Sequence, residues 1–275
     1  MIVFTGSGRC GTKLYSKLFD THHEYNVSGL IGQLRALPQY YNPPTDLLAD
    51  IQLRRKIMRS HLSGVDKAIF RDSSNPCVHF LDALFEIDHD IRIVLCTRDG
   101  RGFARSGITR GYHLPDGIRH FGSLKTIIRA TRRICGYPLP DRYASFGRQP
   151  EQDDPWFTEW PRMSPVERMA WLWQYRYEKA LTRLASVPRT NWTLVRLEDL
   201  TGDPARGNSE LKRLEGFLGV ESRREALTQK HNASKKFGFP DKGQWTESDV
   251  SGFFRIAGST MEKLGYGSKP LAACA

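Results

Sequence analysis

The chain has 275 residues and a formal net charge of +11, with 41 Lys and Arg against 30 Asp and Glu. This length is enough for one large α/β domain with a buried core, and the positive balance predicts an anionic partner. Five widely spaced cysteines argue against a disulfide framework or a metal site, and no apolar run reaches the ~18 residues of a membrane span, so we expect a cytoplasmic protein with reduced thiols.

The first predicted strand, at Ile2-Val3-Phe4, runs directly into a glycine-rich loop, Gly6-Ser7-Gly8-Arg9-Cys10-Gly11. Glycines at positions 6, 8 and 11 allow a tight turn that points several backbone amide groups into one concavity. A predicted helix over residues 12–19 follows, and its N-terminus adds a positive dipole end. This arrangement predicts a phosphate-binding loop.

The loop departs from the pattern of nucleoside-triphosphate hydrolases. That pattern, G-x-x-x-x-G-K-[ST], would require Lys at position 12 and Ser or Thr at position 13 when it begins at Gly6, whereas the chain has Thr12 and Lys13. A phosphate loop without the lysine and the magnesium-binding hydroxyl in register indicates transfer of an anion by another chemistry. For the loop alone, an ordinary strand-to-helix turn with chance glycines is the simpler alternative.

Strands and helices alternate along the rest of the chain, which predicts a single α/β domain with a mainly parallel sheet flanked by helices. We assign the domain to residues 1–267 and a flexible tail to 268–275. Residues 107–165 are rich in Gly, Pro and aromatic residues, and we expect an irregular lid or acceptor-site segment there, with one basic helix near 124–135. The other predicted strands are 25–30, 67–70, 91–97 and 192–196, and the other predicted helices are 45–61, 77–85, 165–185 and 207–218.

A second candidate site follows the apolar strand at 91–97. Arg98 comes directly after this strand, and Ser106 lies eight residues later in the next helix. Ligands of open α/β sheets bind beyond the carboxyl ends of the strands, where we expect Arg98 to lie. The planar fork of an arginine and the hydroxyl of a serine can hold one phosphate together. A capped strand end and a solvated serine are the alternative for this pair.

Five motifs, in order from residue 2 to residue 266, resemble those of the sulfotransferases that use 3′-phosphoadenosine-5′-phosphosulfate. They span almost the whole chain. Residues 9–13 are similar to the family's 5′-phosphosulfate loop, [KR]-S-G-T-[TSK], and Arg98, Asp99, Arg101 and Ser106 are similar to its 3′-phosphate motif. Residues 196–204 are similar to its late strand with an acidic turn. Its C-terminal part is similar to the helix end at 217–219 and to residues 242–245 and 261–266.

The resemblance implies a P-loop-like sulfotransferase architecture and an enzyme of the EC 2.8.2 class. Such an enzyme transfers a sulfuryl group from this cofactor to a hydroxyl or amine without a metal and leaves adenosine 3′,5′-bisphosphate. Arg9 takes the place of the family's catalytic Lys or Arg, assisted by Lys13 and Thr12, because basic groups stabilise the transition state. The implied cofactor contacts are Gly8, Arg9, Cys10, Gly11, Thr12, Lys13, Arg98, Ser106, Lys242, Gly243 and Trp245.

Two residues depart from the family pattern. Cys10 replaces the usual serine, so a contact made by that hydroxyl is lost or weakened while the backbone N–H contact is kept. Leu197 replaces a tyrosine that is often found at this position.

The acceptor needs a general base, and its candidates lie in three places. Glu24 and His23 follow the first helix, where several related enzymes carry a substrate-facing Glu. Asp72 follows the strand at 67–70, where relatives carry residues that line the site. Glu24 or His23 is the first choice and Asp72 the second; His61 is similar to a family histidine, but its spacing from the next strand does not fit. A lone His or Glu in a loop is more often solvated, so the choice stays open.

The acceptor itself is expected to be a small molecule, a glycan or a lipid, and the oligomeric state stays open. Nucleic acid is a weaker candidate partner, because the chain has neither a dense basic arm nor an RNA-binding aromatic motif. Two other classes of function also stay open. A P-loop kinase for a small metabolite would need magnesium ligands and a lysine in register, and a non-catalytic nucleotide-binding module would need no base.

Overall fold

Five parallel strands form the central sheet. The structure is a computed structural model that describes residues 1–19, 23–25, 50–62, 69–72, 76–113, 150, 152–224, 238–239 and 244–267. It confirms the predicted α/β class with a parallel sheet. The strands are β1 (Ile2–Gly6), β2 (His23–Tyr25), β3 (Ile69–Asp72), β4 (Arg92–Thr97) and β5 (Trp192–Arg196).

The strand order is β2-β3-β1-β4-β5, and the side of the sheet on which successive strands are added changes between β1 and β4. After β1 the chain forms its next strands on one side of β1, whereas β4 and β5 lie on the other side. Gly6 is in register with Cys96, so the loops that follow β1 and β4 begin side by side. Open α/β sheets bind ligands at such a reversal, beyond the carboxyl ends of the strands.

Helices pack on both faces of this sheet. Within the described ranges, none of them is long and apolar enough to cross a membrane. They are α1 (Thr12–Leu18), α2 (Ile51–Leu62), α3 (Leu81–Ile87), α4 (Gly100–Ile108), α5 (Pro165–Leu184), α6 (Leu197–Thr201), α7 (Pro204–Leu218) and α8 (Glu247–Lys263).

Alternate residues of the central strands point into two different cores, as the two-residue period of a strand requires. Val3 and Leu95 join a larger core with α5 and α8. Phe4 and Cys96 join a smaller core with α1 and α7. Burial on both faces explains why β1 and β4 are apolar along almost their whole length.

The start of α5 agrees with its prediction. Ser164 caps the helix by accepting from the backbone N–H of Glu167 (3.2 Å), and the Glu167 carboxylate accepts from the backbone N–H of Ser164 (2.9 Å). Pro165 occupies the first helical position, where its missing N–H costs nothing. The helix that this reciprocal cap begins runs through the larger core and reaches the candidate site.

Several boundaries differ from the predictions for local reasons. β2 begins at His23, two residues before the predicted strand, because pairing with β3 extends the backbone there. α7 begins at Pro204, three residues early, because Asp203 accepts from the backbone N–H of Arg206 at 2.9 Å. α6 and α8 were not predicted. The predicted basic helix at 124–135, residues 26–30 and the tail at 268–275 lie outside the described residues.

Candidate anion-binding site

The loop after β1 has a left-handed backbone at three of four consecutive residues. The angle φ is +77° at Gly8, +56° at Arg9 and +88° at Gly11. Glycine adopts such angles without a steric penalty, but a non-glycine residue there costs ~1–2 kcal/mol. Strained residues of this kind persist where the surrounding structure fixes them, and they are concentrated at functional sites. The conformation of Arg9 therefore marks this loop as a candidate site.

The packing of Cys10 explains how the loop accommodates a cysteine where the similar sulfotransferase motif has a serine. Its side chain is fully buried and belongs to the smaller core with Phe4 and Cys96. A Cβ placed on Gly6 would lie 2.7 Å from the Cys10 Sγ and 2.3 Å from the Cys96 carbonyl oxygen, so close packing requires glycine at position 6. The thiol thus fills space against the sheet, and we expect only the backbone of Cys10 to serve an anion.

The second half of the site follows β4. Asp99 caps α4 by accepting from the backbone N–H of Arg101 (2.8 Å) and of Gly102 (3.4 Å). The same carboxylate pairs with the Arg101 guanidinium, with Nη2 and Oδ2 2.6 Å apart. Asp99 and Arg101 therefore hold the beginning of the helix, whereas Arg98 reaches toward the loop after β1.

The two halves meet at the point where the strand order reverses. Arg9 Nε donates a hydrogen bond to Ser106 Oγ at 3.0 Å, although the two residues are 97 positions apart. Arg98 Nη1 donates to the backbone carbonyl oxygen of Arg9 at 3.2 Å. The Arg98 guanidinium packs against the first turn of α4 at Gly102. A Cβ on residue 102 would lie 3.1 Å from Arg98 Nε, so the missing side chain leaves room for the guanidinium. The glycine-rich loop and the Arg98–Ser106 pair therefore form one cluster.

This cluster is cationic. Across the described part of the chain, neither Arg9 nor Arg98 forms an ion pair with a carboxylate, whereas Arg101 and Arg213 do. Burial, followed by the positive charges of Arg110 and Arg98, lowers the pKa of Arg9. A guanidinium nevertheless stays charged at neutral pH. Uncompensated positive charge in a half-buried position favours an anionic ligand.

Glu198 and Tyr266 hold the turn between β4 and α4 from the side of β5. Glu198 Oε1 accepts from the backbone N–H of Asp99 at 3.0 Å, and its Oε2 accepts from the Tyr266 hydroxyl at 3.1 Å. Burial, and then the charge of Glu198, raise the pKa of the Tyr266 phenol. Asp199, the next residue, pairs with Arg196 at 2.7 Å. The acidic turn of the sequence motif thus supports the site without forming part of its cationic cluster.

One face of α5 supports both loops. Its three contributing residues are spaced i, i+3 and i+4, which places them on the same side of the helix. The sequence predicted the helix but not this role, because the spacing also fits an ordinary amphipathic helix; the arginine within an apolar stripe was the available signal. The donors are Trp173 Nε1 to the carbonyl of Arg98 (3.1 Å), the Tyr177 hydroxyl to that of Cys96 (2.9 Å) and Arg176 Nη1 to that of Ser7.

Strand register separates the three candidate bases, for which the structure describes the backbone alone. Asp72 ends β3, the neighbour of β1, and so lies at the same edge of the sheet as the glycine-rich loop. Glu24 and His23 lie in β2 and not in a loop as predicted, two strands or about 10 Å from β1. His23 is in register with Phe70, two residues before the end of β3. The register therefore places Asp72 closest to the loop.

Trp245, predicted to contact the cofactor, lies in the larger core. Its ring packs on Phe239 and Phe253, with centroids 6.2 and 5.9 Å apart. Phe253 in turn packs against Gly100, and a Cβ on residue 100 would lie only 2.8 Å from Phe253 Cζ. Trp245 thus packs on Phe253, which itself lies against the beginning of α4. Of the other predicted contacts, Lys242 and Gly243 lie outside the described residues, and Thr12 and Lys13 are described as backbone at the start of α1.

The tryptophans of the predicted lid segment that the structure describes pack on the protein itself. Trp160 makes an edge-to-face contact with Trp171, with centroids 5.2 Å apart. The Arg255 guanidinium lies over Trp156 at 4.8 Å. Both tryptophans contact the larger core, and residues 114–149 and 151 lie outside the described part.

The arrangement can hold two anionic groups, one over the backbone of the glycine-rich loop and one between Arg98 and Ser106. Comparison with models of known protein families finds no matching family, and comparison with curated protein sequences finds no match. We therefore infer the function from the residues of the cluster together with the motif resemblance in the sequence.

Proposed function

We propose that the protein is a sulfotransferase that transfers a sulfuryl group from 3′-phosphoadenosine-5′-phosphosulfate to a hydroxyl or amine of a small-molecule, glycan or lipid acceptor. The hydrogen bond from Arg9 Nε to Ser106 Oγ, at 3.0 Å, is the observation that supports this best. It joins the two motifs that the family resemblance assigns to opposite ends of one nucleotide. A phosphate loop after the central strand of a parallel sheet also fits the P-loop-like architecture that we propose for the fold.

Each half of the cluster would then hold one end of the donor. The guanidinium of Arg98 and the hydroxyl of Ser106 would bind the 3′-phosphate. The backbone N–H groups of residues 8–11 and the N-terminus of α1 would bind the 5′-phosphosulfate, which supplies the group to be transferred. Arg9, charged at neutral pH, would stabilise the negative charge that develops on the leaving phosphate as its bond to sulfur breaks and the acceptor oxygen or nitrogen forms the new one.

We assign the general base to Asp72 in preference to Glu24 and His23. Asp72 lies at the loop edge of the strand next to β1, whereas β2 is one strand further away. A positioned carboxylate that accepts the acceptor proton contributes roughly 10²–10⁴ in rate. Asp72→Asn should therefore reduce sulfuryl transfer about 100-fold or more while nucleotide affinity stays within about twofold. Unchanged transfer in this variant would contradict the assignment.

Two rival functions make different predictions. A P-loop kinase would prefer ATP with Mg²⁺, but the order Thr12-Lys13 places neither the lysine nor the hydroxyl in the required register. A non-catalytic module would bind the same nucleotide but would transfer no labelled sulfate, and Asp72 would be dispensable in every assay.

Calorimetric titration of the full chain tests the proposal. Adenosine 3′,5′-bisphosphate should bind at least about tenfold more tightly than ATP with Mg²⁺, because Arg98 and Ser106 recognise the 3′-phosphate. A preference for ATP would exclude the sulfotransferase.

A pair of arginine variants sharpens this test. Arg98→Ala should weaken adenosine 3′,5′-bisphosphate by about 10–150-fold, the loss expected for a charged hydrogen bond of roughly 1.5–3 kcal/mol, and should leave adenosine 5′-monophosphate almost unchanged. Arg92→Ala is the matched control, because Arg92 begins the same strand at the opposite edge of the sheet. Equal losses for both nucleotides in Arg98→Ala would contradict the assigned role.

A further inference from the structure

One face of α4 lines the cationic cluster at regular intervals. Gly102 lies against the Arg98 guanidinium, with its hypothetical Cβ 3.1 Å from Nε, and Ser106 accepts the hydrogen bond from Arg9. Residues four apart on a helix share a face, so the next member of this row is residue 110. That residue is Arg110, which no sequence motif singled out.

The helical turn continues in phase as far as Arg110. Thr109 keeps helical angles, with φ −61° and ψ −12°. Gly111 then takes φ +71°, its N–H donates to the carbonyl oxygen of Ile108 at 2.8 Å, and the N–H of Tyr112 donates to that of Gly107 at 2.9 Å. This pair of bonds is the Schellman ending of a helix, with Gly111 just beyond the last helical residue. Arg110 therefore lies about 6 Å along the helix from Ser106.

Electrostatics agree with this placement. Among the charged groups that lower the pKa of Arg9, Arg110 comes before Arg98. The positive charges of Arg98 and Arg110 therefore both lie near enough to Arg9 to act on it. In the proposed function the donor contacts two of these arginines, Arg98 at the 3′-phosphate and Arg9 at the leaving phosphate. Arg110 adds a third positive charge, on the side of Ser106 away from Arg98.

We propose that Arg110 forms a third anion subsite, next to the point of transfer, which holds a carboxylate, sulfate or phosphate group of the acceptor. The inference rests on the proposed function and narrows it: the acceptor would be an acidic molecule that carries its anionic group close to the hydroxyl or amine that is modified. An arginine suits this task because its planar fork binds such oxyanions through two parallel hydrogen bonds.

Titration of inorganic sulfate into the full chain saturated with adenosine 3′,5′-bisphosphate tests the subsite, because the nucleotide then occupies the two phosphate positions. Arg110→Ala should weaken sulfate binding at least about tenfold, Arg110→Lys should restore part of the loss, and nucleotide affinity should stay within about twofold. Arg92→Ala removes one positive charge at the opposite edge of the sheet and should change neither affinity.

Three results would overturn the inference: no sulfate binding to the nucleotide-saturated wild type, unchanged sulfate affinity in Arg110→Ala, or a parallel loss of nucleotide affinity, which would assign Arg110 to the nucleotide. A melting temperature within ~2 °C of wild type identifies variants that are folded, and Arg110→Lys takes the place of Arg110→Ala if the latter is not. Failure of the nucleotide to bind at all would refute the proposed function alone; sulfate titration of the free protein, with the same variants, would then decide the subsite.

Discussion

Two substitutions at Arg9 separate its backbone strain from its charge. Arg9→Gly and Arg9→Ala both remove the guanidinium and its hydrogen bond to Ser106, but only glycine accepts φ +56° without strain. Alanine keeps a left-handed penalty of ~1–2 kcal/mol, and the greater freedom of glycine in the unfolded chain offsets ~0.5–1 kcal/mol of the difference. Arg9→Gly should therefore be more stable than Arg9→Ala by about 0.5–1 kcal/mol, or about 1–3 °C in melting temperature.

Urea unfolding followed by tryptophan fluorescence measures this difference, and calorimetric titration with adenosine 3′,5′-bisphosphate measures the function. Both variants should lose nucleotide affinity to the same extent, about tenfold or more, because both lack the charged donor. Arg9→Lys keeps the positive charge and the strain, and so should retain more affinity than either variant without a stability gain.

Two outcomes would refute the reasoning. If Arg9→Ala is at least as stable as Arg9→Gly, the residue does not hold the left-handed conformation in solution. If Arg9→Gly binds the nucleotide as tightly as wild type, the guanidinium is not part of the site, whatever its conformation.

Two further predictions concern stability. Gly11→Ala should destabilise the chain by more than about 1 kcal/mol in urea unfolding, because φ is +88° there and a Cβ would lie 2.6 Å from Leu197 Cδ1. Gly216→Ala, in an open position of α7, should instead stabilise it by ~0.5–1 kcal/mol, and equal effects of the two changes would contradict the loop geometry. Burial and then nearby positive charges, led by Lys179, lower the pKa of His79 to about 3 from its ordinary 6.5. Below pH 6.5 the unfolded chain binds a proton at His79 that the folded chain does not bind until pH approaches 3. The contribution of neutral His79 to the free energy of unfolding is therefore complete above pH 6.5 and is lost as pH falls, by about 2 kcal/mol at pH 5. His79→Gln should flatten this part of the pH–stability curve, and an unchanged slope would show that His79 is not its source.

The parts of the fold that sequence periodicity predicts are those whose stability is local or whose burial is complete. β4 is a continuous apolar run because both of its faces are buried. α5 begins with a reciprocal cap whose two partners, Ser164 and Glu167, lie within four consecutive residues. β2 was displaced in the prediction because His23–Tyr25 has no apolar pattern and depends on pairing with β3. The strand order was not predictable, because it depends on pairings between distant segments.

The candidate site divides in the same way. The sequence indicated residues 6–11, 98 and 106 as a candidate site, because glycines, an arginine and a hydroxyl in this pattern are typical of phosphate-binding sites. The left-handed angle of Arg9 and the burial of the Cys10 thiol were not predictable, since both depend on how the loop packs against β4. Arg110 was not predictable because its relation to Arg9 is spatial: the two are 101 residues apart in sequence, and only the folded chain brings their charges near each other.

The face of α5 that donates to the carbonyls of Ser7, Cys96 and Arg98 has a consequence for how the site forms. Since a single helix is hydrogen-bonded to the ends of both β1 and β4, we expect the two loops to open together, when α5 separates from the sheet. The backbone amides of both loops should then exchange with solvent as one cooperative unit, at the rate at which α5 separates from the sheet. The distance between the two proposed anion positions would then be set during folding, and a ligand would bind with little loss of conformational entropy in the protein.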